Sequence, residues 1–193
     1  MHADFPRYGF LPHPDPFRRL TGDLEPLDDL GRDLPSLLED KDARLYLKEF
    51  KVPKWPTDTL AAADLPALRL YYVRLGFVAS GYINQIGQPP ATKLPANIAV
   101  PLCHAAKVLD RPPILSYDGY ALYNWKRFDL AGPIALGNID TIQNFVHLYD
   151  ERWFILVHVE IEGNAAEALD GIAAAQVAMH KQDGEGVTAA LYR

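Results

Sequence analysis

The residues best placed to do chemistry fall in one short run, RWFILVHVEIE, at 152–162. His158 sits in its middle between Val157 and Val159, and Glu160 and Glu162 follow it. A neutral imidazole offers one donor and one acceptor nitrogen, so a histidine in apolar surroundings suits proton handling or substrate positioning. The same surroundings suit a hydrogen-bonded core histidine, which is the commoner case for a lone one among Val, Leu and Ile. Glu160 and Glu162 part company on a helix and align on a strand; solvated or salt-bridged roles are their simplest reading. His2, His13, His104, His147 and His180 are scattered without ligand spacing. Cys103, the single cysteine, excludes an internal disulfide framework and a zinc site made of Cys alone. Its apolar, helix-like neighbourhood predicts a small core residue. No dinucleotide or phosphate loop, nucleophile elbow or His-Glu-x-x-His helix occurs.

Bulk properties narrow the function classes. A chain of 193 residues fits one domain, or one small domain plus part of another. Its 49% hydrophobic content allows a real globular core. Lys and Arg number 19 against 25 Asp and Glu, a net charge of −6 with no basic stripe, so no nucleic-acid partner is expected. MHADFPRYGF lacks the charged start and apolar centre of a signal peptide, and no 18-residue apolar run follows. These features predict a cytoplasmic protein with no membrane partner.

The elements that must position His158 are read from proline usage and periodicity. Fifteen of the 16 prolines lie between Pro6 and Pro113, and the last 60 residues hold none. Short, punctuated elements should therefore give way to long ones. GFLPHPDPFRRL reads as an extended arm, because each proline turns its predecessor away from helix. Asp64 is a plausible N-cap with Pro66 in the first turn, and Leu68, Tyr71, Leu75, Val78 and Tyr82 then form an apolar stripe. Pro101 can open a helix carrying Leu102, Ala105, Ala106 and Leu109, stopped by Pro112 and Pro113. A third amphipathic stretch spans about 118–127. Asn164 could cap a last helix with Leu169, Ile172 and Met179 on one face, broken by DGEG at 183–186. The chain is mainly α on this reading. For 153–161 local propensity favours strand, which would align Phe154, Leu156, His158 and Glu160. A helix would cluster Phe154, Val157, His158 and Ile161 instead.

Two stretches carry a family resemblance: LPANIAVPLCHAAKVLDRPPILSYDGYALYNWKR at 94–127 and WFILVHVEIEGNAA at 153–166. The first resembles the indoleamine 2,3-dioxygenase family, in which a Leu-Pro-x-Asn-Ile-Ala-Val-Pro run precedes Pro-Pro-Ile-Leu-x-Tyr and an Asn-Trp pair. Here these are Leu94 to Pro101, Pro112 to Tyr117, and Asn124-Trp125. Weaker pieces follow the same order: GFLP at 9–12, DLPSLL at 33–38 and RLYYVRLGFVASGY at 69–82. The likeness covers nearly the whole chain.

The resemblance implies an all-α fold, with a small helical N-terminal domain at 1–145 and the start of a larger haem-binding helical domain at 146–193, truncated at residue 193. It makes 152–162 a buried helix. It also implies haem b as cofactor, O₂ as co-substrate, and L-tryptophan or another indole as the molecule opened across its C2–C3 bond. By the same match Tyr117, Tyr120 and Ala121 approach the haem edge or the substrate ring, and Phe154 packs on the indole. Ile155 stands where an aromatic is often found. His158 falls nearest the indole N–H, where some relatives have serine and the related tryptophan 2,3-dioxygenases have histidine. The axial histidine is expected beyond residue 193, so no metal ligand is assigned within the chain. Nor does the chain contain the arginine that holds the amino-acid carboxylate in the family. A fragment of a longer dioxygenase is the simplest account. The alternatives are one subunit of a split enzyme, a haem-free binding module, and a relative used for O₂ carriage or other indole chemistry. The expected partner is the missing C-terminal half or a partner subunit, with self-association through an uncovered apolar face.

Overall fold

Helix begins where the proline arm ends. The structure, a computed structural model, describes residues 8–56, 61 and 64–192. After the arm, α1 (Glu25–Leu38) starts with Pro26 and the acidic residues Glu25 and Asp28 in its first turn. Both features suit a helix N-terminus, the first by its preset φ and the second by complementing the dipole. Leu27, Leu30, Leu34 and Leu38 recur at helical spacing and are all buried. The short α2 (Ala43–Glu49) follows, then α3 (Leu65–Ile83), α4 (Ala96–Val108), a π-helical turn at Asp118–Leu122, and a small antiparallel pair. In that pair β1 (Trp125–Arg127) faces β2 (Ile139–Thr141), with Trp125 opposite Thr141. The chain closes with α5 (Tyr149–His180) and α6 (Gly184–Leu191).

The expected stripe on α3 exists, but the helix is buried nearly all round, with Leu70, Tyr72, Val73, Arg74 and Phe77 enclosed as well. It forms the axis of the larger core, against which α1, α2 and α4 pack through Leu27, Leu34, Leu47, Ile98 and Leu102. Each such side chain contributes about 1.5–3 kcal/mol when removed from water. A second core gathers Leu11, Trp125, Ile139, Ile155, Leu156 and Val159, so it joins arm, β1, β2 and α5. Tyr120 packs against both cores.

One buried polar network ties these parts. Arg74 donates to Asp28 Oδ1 from Nη2 at 2.9 Å and Nε at 3.2 Å, and from Nη1 to the Ile142 carbonyl and the Gln143 side chain. Gln143 in turn donates to the Gly31 carbonyl at 2.7 Å, and its backbone exchanges hydrogen bonds with the Asn124 amide at 2.7 and 2.8 Å. A Cβ on Gly31 would sit 2.5 Å from Arg74 Cδ, so only glycine allows this approach of α1 to α3.

Several local readings are corrected. Pro101 lies inside α4, which opens five residues earlier at Ala96, and Leu109 is its C-cap. Asp64 precedes α3 as expected, yet its side chain makes no cap hydrogen bond. The 118–127 stretch is one π turn followed by β1, because Asn124 leaves the helix to bond Gln143. Asn164 caps nothing, since α5 runs through it without a break. DGEG both ends α5 and starts α6, with Asp183 accepting the N-cap bond from Gly186 N at 2.8 Å. Cys103 is exposed, not a core residue. Leu102, Ala105 and Ala106 take the inward face, and Cys103 is turned about 100° away from Leu102 on the helix.

Candidate functional site

The carrier of the site is α5, 32 residues long. Asp150 and Glu151 lie in its first turn and His180 in its last, each complementing the helix dipole. The Glu151 carboxylate also accepts the Phe145 and Val146 backbone N–H groups at 2.9 Å, fixing how the chain enters the helix. Ile155, Val157, Val159 and Ile161 favour strand in isolation. They are helical here because the inward face of Ile155, Leu156 and Val159 is buried in the second core, and packing outweighs intrinsic preference. Facing α5 is the π turn, which presents Tyr117 and Tyr120.

A run of rings connects the larger core to the surface of α5. Phe77 stacks on Tyr120 at 5.6 Å between centroids, and Phe145 lies 4.5 Å from Phe77. Tyr120 is 6.2 Å from Phe154, Phe154 is 4.3 Å from His158, and Tyr117 meets His158 edge-on at 5.8 Å. Polar groups lock this run at two points. Tyr117 donates its hydroxyl to Glu162 Oε1 at 2.9 Å, and Tyr120 donates to Glu151 Oε1 at 3.4 Å. Burial, reinforced by the neighbouring carboxylate, pushes each tyrosine up to about 12, so both stay protonated donors near neutral pH.

His158 Nδ1 lies 2.6 Å from the Phe154 carbonyl, one helical turn back. A carbonyl oxygen can only accept, so this bond places a proton on Nδ1. In the neutral ring Nε2 is then the acceptor.

Four of the six expected site residues thus come together: Tyr117, Tyr120, Phe154 and His158. Ile155 and Ala121 do not join them on the open surface. They are 0% and 1% exposed, and Ile155 belongs to the second core because it lies about 100° round the helix from Phe154. Sequence reasoning missed Glu151, Phe77 and Phe145, and it read Glu162 as merely solvated or salt-bridged. Glu162 lies 45 residues from its tyrosine, so no local pattern could have paired them. Glu160 turns elsewhere and accepts the Leu136 N–H at 3.2 Å.

Haem needs an axial ligand and an enclosing apolar pocket. The residues here fit the second requirement on one side only. Tyr117, Phe154 and Ile161 are 45%, 53% and 56% exposed, an aromatic and aliphatic wall with an imidazole acceptor in it. Among the described residues no group of three or more His, Cys, Asp or Glu could hold a metal ion, and no helix is long and apolar enough to cross a membrane.

Comparison with known proteins gives a consistent result. The family model described as indoleamine 2,3-dioxygenase matches residues 4–193. Indoleamine 2,3-dioxygenase 1 of Mus musculus is 34% identical over 183 residues, covering 94% of this chain and 44% of that protein. The indoleamine 2,3-dioxygenase of Saccharomyces cerevisiae is 37% identical over 164 residues, 81% of this chain and 36% of that protein. For indoleamine 2,3-dioxygenase 2 of Homo sapiens the identity is 30% over 187 residues, with 96% and 45% covered. The chain spans less than half the length of each of these relatives.

Proposed function

The chain belongs to the indoleamine 2,3-dioxygenase family, and from that premise we propose that it forms the N-terminal part of a haem-dependent dioxygenase opening the C2–C3 bond of L-tryptophan or another indole. The division proposed with it is a small domain at 1–145 and the beginning of the haem domain at 146–193. Haem b, when bound, would supply the binding and activation of O₂. This chain supplies one wall of the pocket.

The observation that carries the reading is the contact between His158 and the Phe154 carbonyl. His158 Nδ1 is committed to that carbonyl, which leaves Nε2 as an acceptor for an indole N–H. Phe154 and Tyr117 flank the imidazole, giving an indole ring a surface to stack on. Tyr117 and Tyr120 hold their hydroxyls on Glu162 and Glu151, so their contribution is shape and exclusion of water. His158 orients the ring, an effect that acts by fixing the reacting carbons in place.

The test uses the complete protein loaded with haem. N-formylkynurenine should form from L-tryptophan, and His158→Ala should bind haem normally while turnover drops, by as much as about 10²–10⁴-fold if the contact acts in the transition state. On 1-methyltryptophan, which has no indole N–H, wild type and variant should differ far less. Loss of haem in the variant, or equal losses on both substrates, would return His158 to a packing role.

A further inference from the structure

We propose that the cavity between the proline arm and α3 binds a small monocarboxylic acid with a flat apolar body. The cavity has a volume of about 390 Å³, and Pro12, Pro14, Phe17, Leu70, Arg69 and Tyr123 are among its walls. That volume lies within the range of small-molecule sites, and a mainly apolar lining with few polar groups is their usual chemistry.

Arg69 supplies the charge. Its Cζ lies 4.4 Å from the Tyr123 ring centroid, so the ring steadies the guanidinium by a cation–π contact. No hydrogen bond from Arg69 to a described side chain or carbonyl competes with a carboxylate for its N–H groups, and a guanidinium's fork of N–H donors matches a carboxylate. The neighbouring charges are already matched. Arg111, 5.9 Å from the same ring, pairs with Asp118. Asp15, on the wall of the cavity, is held by Arg127 through two bonds of 2.9 and 2.7 Å. Among the described residues no carboxylate pairs with Arg69. Burial, and to a smaller extent the nearby Arg111, lower its pKa.

An arriving anion offsets that cost. One cation in apolar walls matches a single negative charge, whereas a phosphate dianion would leave half its charge unmet. In a chain of net charge −6 the spot is also a local exception, so general attraction of anions does not account for it. The proposal is independent of the dioxygenase reading.

Fluorine NMR on the 193-residue chain tests it, with 4-fluorophenylacetate as probe and the uncharged 4-fluorophenylacetamide as its twin. The acid should broaden and shift on adding protein, and the amide should bind roughly tenfold more weakly, the scale of one charge-assisted hydrogen bond. Arg69→Gln should erase the acid's advantage and Arg69→Lys should restore part of it. Phe17→Ala, at a half-exposed position, should weaken both probes alike. The proposal is overturned if neither probe binds the unchanged chain, if acid and amide bind it equally, or if Arg69→Gln keeps the preference for the acid.

Discussion

At the scale of single residues, the wall of the candidate site is set by side chains that pair across long sequence distances. Tyr117 is held by Glu162, and its folded value of about 12 exceeds the ordinary tyrosine value of about 10. A raised value means that the folded state keeps the proton longer. The contribution to stability is therefore complete below about pH 10 and is lost as pH rises through about 12. Tyr117→Phe should flatten the alkaline loss of stability in that window, and ultraviolet titration should show one late-ionising tyrosine fewer. Glu162→Gln should bring Tyr117 down only part of the way, because burial is the larger cause. Complete return to ordinary ionisation in that variant would contradict the ranking.

At the scale of elements, α1, α3 and the segment leading into α5 are registered by charge as well as by leucines. Arg74 and Asp28 are both buried and share two hydrogen bonds. Removing one partner strands the other, which costs about 3–5 kcal/mol, while apolar replacement of both is often neutral or better. Arg74→Met should thus lower the chemical-denaturation midpoint sharply, and the pair Asp28→Leu with Arg74→Met should recover most of it. If the double variant is as unstable as the single one, the network is needed for more than pairing of charge. Gln143 and Asn124 are then the groups to examine, since Arg74 also holds the segment that carries Phe145.

At the scale of the whole molecule, α5 carries an exposed apolar face. Phe154, Ile161, Ile172 and Met179 are all exposed, and their spacing of seven, eleven and seven residues places them on one side of the helix. The stripe runs from Phe154 to Met179, roughly 38 Å of helix. An exposed apolar stripe of this kind suits an interaction site or forms an aggregation liability. The proposed occupant is the remainder of the longer protein, and without it the chain should self-associate. Sedimentation should show concentration-dependent assembly that Ile161→Lys and Ile172→Lys suppress. A clean monomer at all concentrations would argue for a finished stand-alone module.

Legible in the sequence were the helical class, the arm of prolines, the apolar stripe of α3 and the family to which the chain belongs. Those properties reside in local chemistry: a fixed φ at proline, apolar residues at helical spacing from Leu68 to Tyr82, and ordered motifs such as Leu94 to Pro101 and Pro112 to Tyr117. For 153–161 local propensity reads strand while the family resemblance implies helix. The helix is what forms, because β-branched residues turn helical when one face is buried against Trp125, Ile139 and Leu11. Only the tertiary structure decided that Phe154 faces outward while Ile155 is sealed inside, a distinction set by which side of α5 meets the second core. The hydrogen bonds that define the site followed the same rule. Tyr117 with Glu162 and Tyr120 with Glu151 join residues 45 and 31 positions apart, and such pairings exist only once the π turn and α5 have been packed side by side.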